Sequence, residues 1–502
     1  MKGKNGEKSS KKKLIASSAG LFFLHYVILL AIIFLFMIYY DPDHWLEYIE
    51  KNLNILLYMI LCILLLFIAV YGYYFSEHRD RMQSPKMITA MFCVLDLCIA
   101  LSCFMGQAIH IYARPAALMA LLCLLLFSKR EAIFWNFIFG ILLFVIDTYT
   151  NYTPDGIGGT GIMANSAVYS ALIVSVTAGL LAIYFGSRIK TRISIVVLSI
   201  PITIPVLVVI LLLEMGQLDF LSKDLGIFLG FGVIGGLSST IFFIAFLPIF
   251  EGIFNILTVF RVRELTTSDA KLMIKLKEEA PGTFSHCMVV AQIAEMCASA
   301  LGENVELARA AALYHDMGKL SKPECFTENQ SGYNVHDELS PELSVDIIRS
   351  HTKEGHDLIL AHRLPELFAD VAQQHHGTLP IKYFYYKAKR MTDGEVRIED
   401  YSYPGPKPKS KIAAIIMIVD AAEAASRALV NRTVDNVEKV VREIIEERVD
   451  LNQFSDCDIT MKDLDTIRKT IVASLTGVYH HRVNYPAIKF GREGKIETKD
   501  RI

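Results

Sequence analysis

The distribution of long apolar runs is the feature that most constrains this chain. Eight runs, each near the roughly 20 helical residues needed to cross a hydrocarbon core, occur before about residue 260. They cover residues 19–40, 53–75, 87–104, 112–128, 132–148, 167–185, 193–214 and 228–250. The remainder is charged and amphipathic with helical periodicity, so the 53% hydrophobic content belongs mainly to the first half. We predict an all-α chain in which a polytopic membrane helix bundle precedes an all-helical soluble domain.

Loop charges predict the orientation of the membrane half. Lys and Arg residues favour cytoplasmic loops. They are concentrated in the N-terminal tail and then in every second loop, at residues 78–86, 129–130 and 188–192. Eight spans therefore place the N-terminus and the soluble half, which begins near Arg261, in the cytoplasm. The short links on either side of residues 112–128 leave a re-entrant segment there as an alternative.

Four acidic residues interrupt the apolar runs. Buried charge in lipid is costly and often functional, so Asp96, Asp147, Glu214 and Glu251 invite a transport interpretation. Three of the four lie near span ends, which favours interfacial or interhelical polar contacts instead. The last span is expected to be broken up by four glycines, Gly230, Gly232, Gly235 and Gly236. A transporter would show broken spans at matching positions in both halves of the membrane domain, and the earlier spans have no such counterpart.

Composition excludes two further classes of protein. The formal net charge of -2 offers no basic field for a polynucleotide partner. The nine cysteines are scattered without a CxxC pair, which argues against a disulfide framework or a structural zinc site. The soluble half is therefore interpreted as a reduced cytosolic domain.

The soluble half contains a set of residues suited to metal binding. Imidazole and carboxylate groups are ligands of divalent iron, manganese or zinc. The candidates are His286, the pair His315-Asp316, His351, the pair His375-His376, and Asp420. Asp420 lies within an apolar run, where an unpaired carboxylate would be costly, so it is expected to face a cation. Gly318 and Lys319 follow the His-Asp pair. The glycine would let the backbone approach a neighbouring group closely, and the lysine could reach a bound phosphate.

Each candidate alone also has an ordinary interpretation as a surface or hydrogen-bonded residue. Other histidines compete for the same role. His336-Asp337 repeats the dipeptide in a polar loop without the following Gly-Lys, and His480-His481 is expected at the surface. His356 and His362 are expected to be solvated on the helix that carries His351.

Several linked motifs in one order resemble the bacterial seven-transmembrane HD family of cyclic di-AMP phosphodiesterases. The segments that carry the resemblance lie at residues 279–286 (EAPGTFSH), 312–319 (ALYHDMGK), 373–377 (QQHHG), 383–389 (YFYYKAK), 403–408 (YPGPKP) and 420–428 (DAAEAASRA). It covers residues 229–485, and no GYP sequence follows His375-His376-Gly377, unlike in the cyclic di-GMP branch.

The resemblance implies a site residue by residue. One metal would be held by His286, His315, Asp316 and Asp420, and a second by Asp316, His351, His375 and His376, with Asp316 bridging. The cofactors would be two divalent transition-metal ions, iron or manganese, acting on a bridging water that attacks phosphorus. Asp316 and Lys319 would be catalytic, and the substrate contacts would be Tyr386, Lys389, Tyr401 and Arg427.

The expected activity is hydrolysis of cyclic di-AMP to linear pApA by a membrane-anchored enzyme. The expected domains are a basic tail at 1–18, a transmembrane domain at 19–255, a linker helix at 256–280, a cytosolic HD domain at 281–485 and a C-terminal tail at 486–502. Cyclic di-AMP and membrane lipid are the expected partners, and a homodimer is left open. A catalytically silent nucleotide receptor, a phosphodiesterase for another cyclic dinucleotide and a transporter with a regulatory HD domain are the alternatives. Few helix breakers follow the last span, which predicts a rigid linker able to transmit a tilt to the metal site.

Overall fold

The computed structural model describes residues 2–40, 42–43, 45–77, 82, 84–150, 162–189, 191–214, 223–267, 269–392 and 394–478. The chain divides into two compact units, Met1–Arg261 and Val262–Ile502. No β-strand occurs among the described residues, where the only β-type pairing is an isolated bridge between Pro380 and Ser402. The predicted all-α fold class is confirmed.

Eight α-helices make up the described part of the first unit. They are α1 (Lys2–Tyr40), α2 (Trp45–Glu77), α3 (Pro85–Ala108), α4 (Leu118–Leu126), α5 (Lys129–Thr150), α6 (Ile162–Gly186), α7 (Ile193–Glu214) and α8 (Lys223–Ile253). Because α1 begins at Lys2, residues 2–18 of the predicted basic tail are part of the first helix. The unit is built around one large apolar core, in which Trp135 is 1% exposed.

The segment predicted as the fourth span differs from a regular transmembrane helix. It consists of a 3-10 turn at Ile111–Ala113, a short irregular stretch and the nine-residue α4. Such a helix covers about 14 Å, less than half of a hydrocarbon core. The segment is buried within the unit, where the Ser239 hydroxyl of α8 accepts a hydrogen bond from the Ala117 amide and donates one to the Gly235 carbonyl. Irregular backbone is tolerated at membrane depth when protein surrounds it in this way.

Glycines in α8 permit this close packing. A Cβ at Gly235 would lie 2.4 Å from the Tyr112 carbonyl oxygen, and one at Gly236 would lie 1.9 Å from Thr203 Oγ1 of α7. The helix runs unbroken from Lys223 to Ile253. The expectation that the four glycines break up the last span is therefore wrong. Gly232, Gly235 and Gly236 instead allow close contact with neighbouring backbone and side chains, whereas a Cβ at Gly230 would meet no atom within 4 Å.

The four acidic residues of the apolar runs all have polar partners. Asp96 pairs with His25 at 2.8 Å, and Asp147 receives two bonds from Arg114 at 2.6 and 2.8 Å. Glu214 accepts a bond from the Tyr112 hydroxyl, and Glu251 pairs with Arg192 at 3.3 Å. Polar contacts of this kind, between helices or near the interface, are the interpretation that the sequence favoured over a transport role.

Seven helices among the described residues are long and apolar enough to cross a membrane, judged by length and composition. One of them, Pro281–Leu301, lies in the second unit and carries His286 on its buried side, so we do not regard it as a span. Six remain in the first unit, together with the shorter apolar helices Ile111–Leu126 and Leu172–Gly186. The count of eight spans stays a prediction.

The second unit contains the remaining helices of the described chain. They are α9 (Val259–Leu265), which begins just before it, α10 (Lys271–Glu279), α11 (Pro281–Leu301), α12 (Val305–Tyr314), α13 (Pro341–Ala361), α14 (Glu366–Gln374), α15 (Lys382–Met391), α16 (Lys411–Ala428), α17 (Val434–Asp450) and α18 (Met461–Val478). Short 3-10 turns at Met317–Ser321, Pro323–Cys325, Thr327–Asn329 and Val335–Asp337 fill the connection between α12 and α13.

The predicted linker helix at residues 256–280 is two short helices. Helix α8 ends at Ile253, and Asn255 adopts a left-handed backbone conformation with φ of 44°, which asparagine tolerates better than most residues. Helices α9 and α10 follow as separate elements. The expectation of a single linker helix is therefore wrong, and the rigidity of the connection stays a prediction.

Helix α16 explains how a carboxylate comes to lie inside the second unit. Its residues from Ile412 to Asp420 are all buried, and it packs against α11, α14, α17 and α18. An apolar helix surrounded on all sides is a core helix. Asp420 is thereby placed opposite His286 of α11.

Candidate metal centre

The pair His315-Asp316 lies where α12 ends and the 3-10 turn Met317–Ser321 begins. This turn packs against α13 at a distance that only glycine allows. A Cβ at Gly318 would lie 1.9 Å from the His351 carbonyl oxygen and 2.6 Å from the Gly355 amide nitrogen. The close-approach glycine after the His-Asp pair thus brings Asp316 next to His351.

One group of predicted ligands faces Oδ2 of Asp316. His286 Nε2 lies 3.7 Å from this oxygen and His315 Nε2 lies 3.3 Å from it. Asp420 Oδ1 lies 3.0 Å from His286 Nε2 and 3.8 Å from His315 Nε2. We call His286, His315 and Asp420 the first lobe.

A second group faces the other oxygen of the same carboxylate. His351 Nε2 lies 3.5 Å and His375 Nε2 lies 3.6 Å from Asp316 Oδ1. The two imidazole nitrogens are 3.2 Å apart, and His376 has a ligand atom within 4.8 Å of both side chains. We call His351, His375 and His376 the second lobe. The structure therefore brings all seven predicted ligands together around Asp316. His376 Nδ1 also lies 3.9 Å from Asp420 Oδ2 of the first lobe, so the two lobes adjoin each other.

The polar atoms at the centre of the site suit cations. Among the described residues, His315 Nε2 and both oxygens of Asp316 are buried without a hydrogen-bond partner, although Lys319 Nζ approaches Asp316 Oδ2 to 2.8 Å. Buried polar groups are normally satisfied, so such a cluster needs an explanation. A carboxylate with neutral imidazoles on both sides is a donor set that fits divalent transition metals. The residues present therefore fit the metals that the sequence implies.

The outer ring nitrogens of four histidines are held by hydrogen bonds. His315 Nδ1 bonds the Ala312 carbonyl at 2.7 Å, His351 Nδ1 bonds the Ile348 carbonyl at 2.5 Å, and His375 Nδ1 bonds the Ala372 carbonyl at 2.8 Å. His286 Nδ1 bonds Glu423 Oε2 at 2.7 Å. A carbonyl or carboxylate accepts the Nδ1 proton, so that each ring, when neutral, directs the Nε2 lone pair at the centre.

Without metal, the two lobes hold protons differently. Burial lowers the pKa of His286, but Asp420, Glu423 and Asp316 outweigh it and raise this pKa to about 10. Burial lowers the pKa of His351 to about 3, and Lys319 and His375 act in the same direction. Burial and His375 also hold the pKa of His376 well below its usual value. His286 in the first lobe thus holds a proton where His351 and His376 in the second lobe are neutral.

Lys319 is fixed at the edge of the centre. Its ammonium lies 2.8 Å from both Asp316 Oδ2 and Glu328 Oε1, and it is 5.1 Å from the ring centre of Phe326. Burial alone would lower the pKa of Lys319, but the two carboxylates outweigh it and raise the pKa. Lys319 is therefore a permanent cation beside Asp316.

A cleft of about 250 Å³ opens onto the first lobe. Its lining includes Lys319 and Glu328 on one side and Glu423 and Arg427 on the other. Arg427 is exposed and forms an ion pair with Glu423, one turn earlier in the same helix. Of the four predicted substrate contacts, Arg427 is the one that lines this cleft.

The other three predicted substrate contacts lie on α15 and the 3-10 turn Ile398–Tyr401. Tyr386 is exposed, and Lys389 is exposed with its ammonium 6.0 Å from the Tyr385 ring centre. Tyr401 is 5% exposed in a small apolar cluster with Val345 and Phe384, and its hydroxyl bonds Glu342. Tyr401 thus has a packing role here, whereas its substrate role stays a prediction.

The competing histidines have other environments. His336 is buried, with Nε2 bonded to the Cys325 carbonyl at 2.9 Å, and it is outside the groups of clustered ligand atoms. His356 is partly exposed next to Asp357, and His362 ends α13 at the surface. His480-His481 lies outside the described residues. None of the nine cysteines, all of which the structure describes, forms a disulfide.

Two residues of the site were missed in the sequence. Glu423 lies one turn after Asp420 in α16, and a second acidic residue in that apolar run was the available signal. Tyr403 stacks on His376 with ring centres 4.3 Å apart. Its place in the YPGPKP segment gave no chemical reason to expect this contact.

An apolar helical unit followed by a helical unit with this ligand cluster defines a membrane protein with an HD domain. The model of the family described as 7TM receptor with intracellular HD hydrolase matches residues 20–258, and the HD domain model matches residues 283–425. The two matches together take in most of both units, so the chain is similar to this family of seven-transmembrane HD proteins over both.

Among named relatives, the chain is similar to two cyclic-di-AMP phosphodiesterases called PgpH. It is 36% identical to that of Bacillus subtilis over 430 residues, which cover 84% of this chain and 59% of the relative. It is 43% identical to that of Listeria monocytogenes over 279 residues, which cover 55% of this chain and 39% of the relative. The chain thus spans little more than half the length of the first relative and less of the second.

Two solved structures of the HD domain of Listeria monocytogenes PgpH are also similar. The first is 45% identical, covers 42% of this chain and 99% of that chain, and has a TM-score of 0.40. The second, in complex with cyclic-di-AMP, is 45% identical, covers 43% of this chain and 99% of that chain, and has a TM-score of 0.41.

Proposed function

We propose that this protein is a membrane-anchored phosphodiesterase that hydrolyses cyclic di-AMP to linear pApA. The observation that carries the proposal is that two histidine pairs face the two oxygens of Asp316, each pair with a further predicted ligand beside it. The names of the relatives supply the substrate. The loop charges support a cytoplasmic location for the soluble half, where a nucleotide second messenger would be met.

The proposed cofactors are two divalent ions, iron or manganese. His286, His315, Asp316 and Asp420 would hold the first, and Asp316, His351, His375 and His376 would hold the second. When bound, such ions supply Lewis acidity toward phosphoryl oxygens and lower the pKa of water. The donor set supports iron or manganese over a structural zinc, because imidazole and carboxylate outnumber the single nearby thiol, Cys287.

The chain's own residues would position the substrate and its charge. Lys319 is a buried cation beside Asp316, where it would offset negative charge on the reacting phosphate. Arg427 at the mouth of the cleft would pair with a phosphate through its planar guanidinium. Glu328 holds Lys319, and Thr283 Oγ1 donates to Glu328 Oε1 at 3.0 Å, so the cation is fixed before substrate arrives.

Turnover by the purified full chain would test the proposal. With manganese and cyclic di-AMP, the parent and the exposed control Asp357→Ala are expected to release pApA, whereas Asp316→Ala is expected to release none. Binding of cyclic di-AMP without turnover by the metal-loaded parent would favour the silent receptor. Cleavage of cyclic di-GMP in preference to cyclic di-AMP would favour another substrate class.

A further inference from the structure

A groove on the first unit combines an apolar wall with two cations. It has a volume of about 660 Å³, within the roughly 300–1,000 Å³ typical of sites for small ligands. It lies between α2, which contributes Tyr73, and α5, which contributes Lys129, Arg130, Ile133, Phe134, Phe137 and Ile138. No step of the proposed reaction uses this groove.

The two cations lie together at one end of the apolar wall. Helix α5 begins at Lys129, so both precede the four apolar lining residues by one to two turns. Both are exposed, and neither forms an ion pair or hydrogen bond with any residue that the structure describes. The positive end of the helix dipole adds to their charge.

The neighbouring carboxylate does not neutralise this end of the groove. Glu131 is 4% exposed and accepts a hydrogen bond from the Tyr74 hydroxyl, which in turn accepts one from Trp135 Nε1 at 2.9 Å. The carboxylate is therefore directed into the unit. Among the residues that the structure describes, none compensates the positive end of the groove.

The apolar part is built from fixed aromatic side chains. The Tyr73 and Phe134 rings stack with centres 4.4 Å apart, and Phe134 meets Trp135 edge-on at 5.7 Å. Phe137 is 41% exposed along the groove. A ligand that matches both parts is an amphiphile with an anionic head and a hydrocarbon chain.

We propose that this groove is a binding site for an anionic phospholipid. The headgroup phosphate would contact Lys129 and Arg130, and an acyl chain would lie along Phe134, Phe137 and Ile138. The loop charges predict that this end of α5 lies at the cytoplasmic surface, where anionic lipids attract basic residues. A soluble phosphate would match the cations and leave the apolar wall unused, which favours the lipid.

Trp135 offers a reporter next to the groove. The chain has two tryptophans, so Trp45→Phe leaves Trp135 as the single emitter. The full chain would be placed in phosphatidylcholine discs containing a small, equal fraction of either brominated phosphatidylglycerol or brominated phosphatidylcholine. Quenching of Trp135 then measures which lipid occupies the groove.

We expect brominated phosphatidylglycerol to be enriched in the groove, relative to brominated phosphatidylcholine, by on the order of fivefold for each of the two cations. Lys129→Gln with Arg130→Gln should remove the enrichment and leave quenching by brominated phosphatidylcholine unchanged. The matched control, Lys86→Gln with Arg188→Gln, removes the same charge from other exposed positions and should retain it.

Three outcomes would overturn the proposal. Equal quenching by both brominated lipids would mean that the groove takes any bilayer lipid. Loss of enrichment in the control variant would assign the effect to overall charge. Displacement of the lipid by millimolar glycerol 3-phosphate would mean that the cations bind a free phosphate instead.

Discussion

At the scale of single residues, the two oxygens of Asp316 face different sets of histidines. His286 and His315 lie on the side of Oδ2, and His351 and His375 lie on the side of Oδ1, so Asp316 is shared by two histidine pairs. The surrounding hydrogen bonds to Nδ1 atoms set the direction of each imidazole before any ion binds. Two predictions follow from these residues.

The first concerns Glu423, which holds His286 through Nδ1. Glu423→Gln keeps the shape of the side chain and weakens this acceptor, so metal affinity should fall by about 10- to 100-fold. Competition with a fluorescent chelator would measure the affinity. Glu443→Gln, on the exposed side of α17, is the control and should leave the affinity unchanged. Equal affinities for both variants would show that Glu423 has no part in positioning His286.

The second concerns the stability of the metal-free chain. His351 has a folded pKa of about 3, below that of an unfolded histidine, so the unfolded state binds more protons between these values. Stability should therefore fall as the pH is lowered from about 6.5. His286 has a folded pKa of about 10, so its stabilising contribution is complete below about 6.5 and is lost as the pH rises toward 10.

Thermal denaturation after chelation would test both signs. The midpoint should be highest near neutral pH, His351→Gln should flatten the acid side between about pH 5 and 6.5, and His286→Gln should flatten the alkaline side. His376 and His315 shift in the same directions as His351 and His286, so each variant should reduce its slope without abolishing it. Steeper slopes in the variants would contradict the assignment of the protons.

At the scale of elements, close backbone contacts decide where the ligands lie. Gly318 lets the 3-10 turn after Asp316 touch α13 at His351. Gly318→Ala should destabilise the second unit by about 1–3 kcal/mol, because the new methyl group meets backbone atoms. Gly477→Ala in α18, where a Cβ meets no atom within 4 Å, should be neutral or slightly stabilising. Thermal denaturation would compare them, and equal stability of the two variants would contradict the packing described.

The same scale shows what the sequence can and cannot predict. Helical periodicity predicted that the soluble half is all-helical, and the His, Asp and Gly-Lys motifs predicted the seven ligands that the structure brings together. The short α4 was predicted as a full span, because a run of apolar residues does not distinguish a lipid-facing helix from a segment buried in protein. Glu423 and Tyr403 were missed, because their roles depend on contacts across the fold.

At the scale of the whole molecule, the loop charges predict one orientation. A fluorescent protein fused after the soluble half should fold in the cytoplasm and fluoresce. Alkaline phosphatase inserted within residues 41–44 or 215–222 should be active, because these loops lie outside in the eight-span arrangement. Active phosphatase at residues 129–130 would contradict the arrangement.

The central claim is that Asp316 joins two metal sites. Anomalous diffraction from crystals of the manganese-loaded protein tests it most directly. We predict two peaks, one between Asp316 Oδ2 and the lobe of His286, His315 and Asp420, the other between Asp316 Oδ1 and the lobe of His351, His375 and His376. A single peak, or peaks away from Asp316, would contradict the account.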